Sequence, residues 1–160
     1  MLPLQSESMA AGEISISSNK KAIFEYHIDT KYEAGLVLTG TEIKSVRQSQ
    51  VNLSDAYCVF MNEELWVKGM HIAEYKEGSY NNHLSKRDRK LLLNRNELKK
   101  LHSRVKEKGY SIIPLRIYIT EKGFAKLEIA LARGKKLYDK REDLKSKDAA
   151  LEMSRAKKRF

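Results

Sequence analysis

Between Ile113 and Leu131 apolar residues recur at every second position in two runs. Ile113, Leu115, Ile117 and Ile119 form the first, and Ala125, Leu127, Ile129 and Leu131 form the second, beyond a turn through Glu121 and Gly123. A side-chain period of two belongs to a strand with one face buried, and two such runs joined by a short glycine-containing turn make an antiparallel hairpin. That hairpin needs further strands to cover its apolar face and pair its edges. Residues 22–28 and 32–38 suit strands, and Val51, Leu53, Tyr57 and Val59 resume the alternation. A turn at Asn62 and Glu64 then leads into LWVKGMHI as a second hairpin. A chain of 160 residues holds one core of ordinary size. The expected fold class is mainly β with helices (α+β), a small closed antiparallel β-barrel, because closure removes exposed edges. An open sheet with a helix on one face is the alternative.

Two helices interrupt the strands. In TGTEIKSVRQSQ, Thr41 can cap a short helix with Ile43 and Val46 on one side and Glu42, Lys44, Ser45 and Arg47 largely outward. Asn94 stands three residues before Glu97, a capping-box arrangement, and Leu98, Leu101 and Val105 continue an amphipathic helix to residue 108, closed by Gly109. Residues 73–89 have almost no periodicity and read as a long exposed loop, a kind that is usually functional or disordered. Residues 1–18, rich in Ser with no Lys or Arg, read as a disordered N-terminal extension, with Met9 as an alternative start.

The formal net charge is +10, which makes a polyanion the expected partner, nucleic acid ahead of an anionic membrane surface. Cys58 is the single cysteine, so neither an internal disulfide nor a cysteine-rich zinc site can form, and a reducing, cytoplasmic setting fits. No run of eighteen apolar residues and no basic-then-apolar leader occurs, so no membrane partner is expected. His27, His71, His83 and His102 are scattered without ligand spacing, and no nucleophile, base and orienter gather in one motif. No catalytic residues, metal or cofactor are expected, and the chain reads as a non-enzyme. The last 27 residues, 134–160, carry ten basic and five acidic side chains, half the net charge of the molecule. Leu137, Leu144 and Leu151 are too thin a stripe to offset chain ordering, so the segment reads as disordered alone and helical against a partner.

Before that tail, the densest basic segment is HLSKRDRKLLLNRNEL, in which Arg87, Arg89 and Lys90 precede three leucines. Guanidinium forks suit phosphate oxygens. In a strand, Leu91 and Leu93 bury one side and Leu92 is left outward, in want of a partner surface. Asn94 reads equally as a helix cap or as an RNA contact. Most tyrosines suit barrel strands, whereas Tyr138, in a charged tail with no core to join, suits stacking on a base.

The blocks YEAGLVLTGTEIKSVR, VNLSDAY, RDRKLLLNRNEL, KGY and KLEIALARGKKLYDKRE resemble, in order and spacing, the SsrA-binding protein (small protein B) family of bacterial trans-translation, over residues 19–160. The resemblance implies an oligonucleotide-binding-like barrel over residues 19–133, about three helices, and a basic tail over 134–160. It implies binding of the tRNA-like domain of transfer-messenger RNA (tmRNA) and its delivery to stalled ribosomes. Glu33, Leu92 and Asn94 fall at positions the family uses for RNA binding; Arg87, Arg89 and Lys90 are added from charge. Glu33 suits a base amino or imino group as an acceptor. Gly134, Lys135, Lys136, Asp139, Lys140 and Arg141 fall where the tail of the family approaches the decoding centre and its small-subunit ribosomal RNA, and Tyr138 joins them. The following segment becomes a helix in the empty message channel. The chain departs from the family at Ser85, where proline is frequent, and at Tyr138, where histidine is common. A monomer is expected when free. The alternative is a general RNA-binding or ribosomal protein with no rescue role.

Overall fold

The computed structural model describes residues 12–135 apart from Ser79 and Lys108, together with Arg141. Among them are nine strands and three helices. In chain order these are β1 (Ile14–Ser18), α1 (Lys20–Glu25), β2 (Tyr26–Leu36), α2 (Gly40–Arg47), β3 (Val51–Asn52), β4 (Tyr57–Met61), β5 (Glu64–Lys68), β6 (His71–Ile72), β7 (Arg89–Leu92), α3 (Arg95–Val105), β8 (Tyr110–Ile119) and β9 (Ala125–Gly134). Seven strands run in the order β1-β8-β4-β5-β7-β2-β9, and β9 pairs again with β8, so the antiparallel sheet is ring-like. The short strands β3 and β6 pair separately. The principal core lies inside the ring and includes Leu36, Val46, Leu65, Val67, Leu91, Leu101, Ile117, Leu127 and Ile129.

Both expected hairpins form. Asn62 and Glu63 take positive φ values of 50° and 65°, the left-handed pair that a two-residue turn between twisted strands requires, and join β4 to β5. Gly123, at φ 88°, turns β8 into β9. The first expected strand divides differently. Ala22 lies in α1 because Asn19 caps that helix, its Oδ1 accepting from the Ala22 amide at 3.2 Å, and β2 then runs unbroken through Tyr32. The ordered body also begins earlier than expected: Ile14–Ser18 pairs antiparallel with β8, where strand pairing satisfies backbone groups that a frayed end would leave to water. Helix α3 is capped by Asn94 as expected but ends at Val105, short of Gly109.

A bulge divides the founding alternation. The β8–β9 register shifts between Pro114 and Arg116, and the extra residue changes which side of the sheet each later residue faces. Ile117 and Ile119 enter the ring core, whereas Ile113 and Leu115 pack with Ala22, Ala130 and Ala132 in a second cluster on the other face. Asn19 pins the bulge: its amide nitrogen donates to Leu115 O at 2.7 Å, and its Nδ2 donates to Pro114 O at 3.0 Å and Leu53 O at 3.3 Å.

Candidate nucleic-acid interface

Three of the expected RNA-contacting residues share one outer face. Gly35 of β2 lies directly opposite Leu92 of β7, and residues directly opposite in an antiparallel pair point the same way. Glu33 precedes Gly35 by one pleat and Lys90 precedes Leu92 by one, so all face outward together. Glu33 is exposed, and Leu92 is 51% exposed while its neighbour Leu91 is only 2% exposed, the separation that the strand period predicts. Gly35 makes room for this arrangement: a Cβ there would stand 3.3 Å from the Leu92 Cβ. Val37, 43% exposed, adds apolar surface beside Lys90, whose carbonyl accepts from the Val37 amide at 3.1 Å. Lys90 Nζ is 3.1 Å from the Glu64 carboxylate. Both groups are substantially exposed, so the ammonium remains open to competition from phosphate.

Asn94 follows at the end of this stripe. Its Oδ1 accepts from the Glu97 amide at 2.9 Å, while the Glu97 carboxylate accepts from the Asn94 amide at 3.4 Å, a reciprocal capping box. The cap engages Oδ1 and leaves the Nδ2 donor of this exposed residue without a partner among the described residues. Capping and outward donation are therefore compatible.

Arg89 is elsewhere. Its side chain has no exposed surface and is directed inward, with Nε on the Glu42 carboxylate, Nη1 donating to Met70 O at 2.7 Å and Nη2 to Ser85 O at 3.1 Å. In this placement the Arg89 guanidinium, expected from its charge to meet phosphate, has no open surface to offer it. Arg87 is divided: Nη2 lies 2.6 Å from Glu42, yet the side chain is 35% exposed. Glu42 itself, expected to point outward with Ser45, is completely buried, and Ser45 is 1% exposed. Burial alone would raise the Glu42 carboxyl. The Arg87 bond, the Thr39 amide and Arg89 together outweigh it and hold the group at about 2.

The cap of α2 is Thr39 rather than Thr41. Thr39 Oγ1 accepts from the Glu42 amide at 3.4 Å and the Thr39 amide donates to Glu42 at 2.9 Å. The T-x-x-E spacing that marks this box is present in the sequence. Thr41 instead meets His83 Nδ1 at 2.9 Å, and His83 Nε2 lies 2.9 Å from Ile72 O. A carbonyl only accepts, so Nε2 is the donor and Nδ1 accepts from the threonine hydroxyl in the neutral ring. These bonds fix the 73–88 loop against α2 and β6, next to the basic segment.

A further cluster lies beside Glu33. Arg116 Nε is 3.2 Å from Glu128, its Nη2 is 3.7 Å from Glu13, and its guanidinium stacks 4.2 Å from the Tyr118 ring centroid. Only the bulge, which alternation does not announce, brings Arg116 and Tyr118 to this face.

Of the tail residues, Gly134 ends β9, exposed and opposite Tyr26, and the Lys135 amide donates to Glu25 O at 2.7 Å. Arg141 is exposed. Lys136, Tyr138, Asp139 and Lys140, with most of the segment expected to fold on a partner, lie outside the described residues, as does the extension before residue 12.

Among the described residues no group of His, Cys, Asp and Glu is arranged to hold a metal, and no helix is long and apolar enough to cross a membrane. A cleft of about 560 Å³ opens between α1, β4 and β8, lined in part by Tyr26, Ser54, Asp55, Tyr57 and Tyr110. Cys58 lines it too, but burial pushes its thiol up, away from the thiolate needed for nucleophilic chemistry.

The chain is similar to known proteins over most of its length. The SsrA-binding proteins of Phocaeicola vulgatus and Bacteroides thetaiotaomicron are 59% and 56% identical over 141 residues, 88% of this chain and 94% of each relative. That of Cytophaga hutchinsonii is 60% identical over 137 residues, 86% of this chain and 90% of the relative. A solved chain described as "tmRNA-SmpB: a journey to the center of the bacterial ribosome" superposes with a TM-score of 0.65 at 42% identity, covering 79% of this chain and 87% of that one. The family described as SmpB protein matches residues 16–159, taking in the ring-like body and the basic tail alike. The chain belongs to the SmpB protein family.

Proposed function

We propose that this chain binds the tRNA-like domain of transfer-messenger RNA on the β2–β7 face and delivers it to stalled ribosomes for trans-translation. The observation that carries the reading is the family match across residues 16–159, joined by the likeness to a chain described with tmRNA and the ribosome. On the body, Glu33 accepts from base N–H groups, Leu92 packs on RNA, Asn94 donates through Nδ2, and Lys90 with the exposed part of Arg87 neutralises phosphate. Arg89 serves by holding Arg87 and β7 through their shared partner Glu42. The ring-like sheet is read as a closed, oligonucleotide-binding-like barrel, and the protein as a monomeric cytoplasmic adaptor without catalytic turnover.

The tail supplies the second activity. Gly134, Lys135, Lys136, Tyr138, Asp139, Lys140 and Arg141 lie at the decoding centre, and the following residues fold in the empty message channel. A polycation that orders only inside an unoccupied RNA-lined channel reports the absence of message. Deleting residues 134–160 tests this. The truncated protein is expected to bind tmRNA with affinity within about threefold of the full chain and to support no peptide tagging on a stalled ribosome. Equal loss of both activities overturns the two-site reading, retained tagging by the truncated chain overturns the role given to the tail, and a full chain that supports no tagging favours a general RNA-binding protein.

A further inference from the structure

The outer face that carries Glu33 also holds a buried hydroxyl, that of Tyr118. Tyr118 has no exposed surface, and its Oη is buried without a hydrogen-bond partner. A buried donor left unmade is costly enough that native structures rarely keep one without a use. Register places it: β2, β9 and β8 are neighbours, with Glu33 opposite Glu128 and Glu128 opposite Arg116 in one row, and Gly35 opposite Lys126 and Lys126 opposite Tyr118 in the next. The Arg116 guanidinium, stacked 4.2 Å from the phenol ring centroid and tied to Glu128 and Glu13, holds the ring in place. Its cationic charge is directed to those two carboxylates, and Glu33 has no ion-pair partner among the described residues. Burial first, then the charge of Glu33 and hydrogen bonding to its carboxylate, push the Tyr118 phenol up, so Glu33 stands at the edge of hydrogen-bonding reach of the hydroxyl.

We propose that Tyr118 is a positioning residue for Glu33, its hydroxyl fixing one carboxylate oxygen so that Glu33 reads the paired N–H donors of an unpaired guanine in the bound RNA. A carboxylate only accepts, and each oxygen has two lone pairs, so one can accept the phenol hydrogen bond and still face a base. Among the four bases, guanine alone sets two donors side by side, the ring N1–H and the exocyclic N2–H, to match two oxygens. Adenine, cytosine and uracil each offer a single donor position on that edge. With the base bound, the bond between Tyr118 and Glu33 holds the carboxylate in place, which gives the buried hydroxyl its use.

This inference rests on the reading that Glu33 contacts tmRNA, and the test separates the two. Binding of a transcript of the tRNA-like domain is measured for the wild-type chain, Glu33→Gln, Tyr118→Phe, the double variant and Glu33→Asp, with thermal unfolding as the control. Tyr118→Phe keeps the ring and is expected to unfold within a few degrees of wild type, to bind about fivefold more weakly, and to change affinity less than twofold when Glu33 is already Gln. Glu33→Asp keeps the charge but withdraws it from the hydroxyl, and is expected to resemble Tyr118→Phe. Replacing guanosines by inosine, which lacks the N2 amine, should reveal a guanosine whose interference is present with wild-type protein and absent with Glu33→Gln. If Glu33→Gln binds normally, the contact itself fails and the inference with it. If Glu33→Gln weakens binding while Tyr118→Phe does not, if the two losses multiply, or if no guanosine shows Glu33-dependent interference, Tyr118 has no part in positioning a guanine reader.

Discussion

Glu42 lies fully buried between Arg87 and Arg89, and its carboxyl is held at about 2 against an ordinary 4.5. The unfolded chain binds a proton at Glu42 between these values while the folded chain does not. Stability from this group is therefore complete above about pH 4.5 and lost as pH falls through about 2. Glu42→Gln is expected to unfold more readily at pH 7 by roughly 3 to 5 kcal/mol, because Arg89 would remain buried without its counter-charge. Urea unfolding between pH 2.5 and 5 should show a smaller decline with acid in the variant than in wild type; an unchanged slope removes Glu42 as its source. This role was not legible locally. The helical pattern gave Glu42 an outward place, and the two arginines that bury it follow 45 and 47 residues later. What was legible was the capping spacing from Thr39, which fixes the backbone of the same residue.

At the scale of elements, β7 tests how far a period of two separates stability from binding. Leu91→Ala removes a side chain buried in the ring core and is expected to cost about 2 to 5 kcal/mol in denaturant unfolding. Leu92→Ala, one residue on, removes an exposed side chain and should change stability by no more than about 0.5 kcal/mol while weakening tmRNA binding roughly tenfold. Leu92→Ala with normal affinity would remove this leucine from the interface. The division between these leucines was readable because β7 has no bulge in its pairing with β2 or β5. In β8 the same rule failed at Leu115: one inserted residue exchanged the faces, and with them the side of the sheet on which Arg116 and Tyr118 lie. Alternation tells which residues oppose each other only while the register is continuous.

At the scale of the whole molecule, the proposed function divides the charge between two partners. Of the net +10, residues 134–160 account for +5, and the body, which keeps the acid-rich neighbourhood of Glu33, Glu128 and Glu13, holds the other half. Bulk charge therefore draws the chain to RNA while the carboxylates leave room for selection among bases, since attraction to phosphate alone does not distinguish them. If the body neutralises about five phosphates of tmRNA, log affinity should fall against log salt with a slope of roughly 3.5 to 4.5. Because the tail is assigned to the ribosome, a chain ending at Arg133 should keep that slope to within about one, measured by titrating the tRNA-like domain at several salt concentrations. A slope that falls by two or more on truncation would place the tail's cations on tmRNA itself and return the molecule to a single, continuous RNA surface.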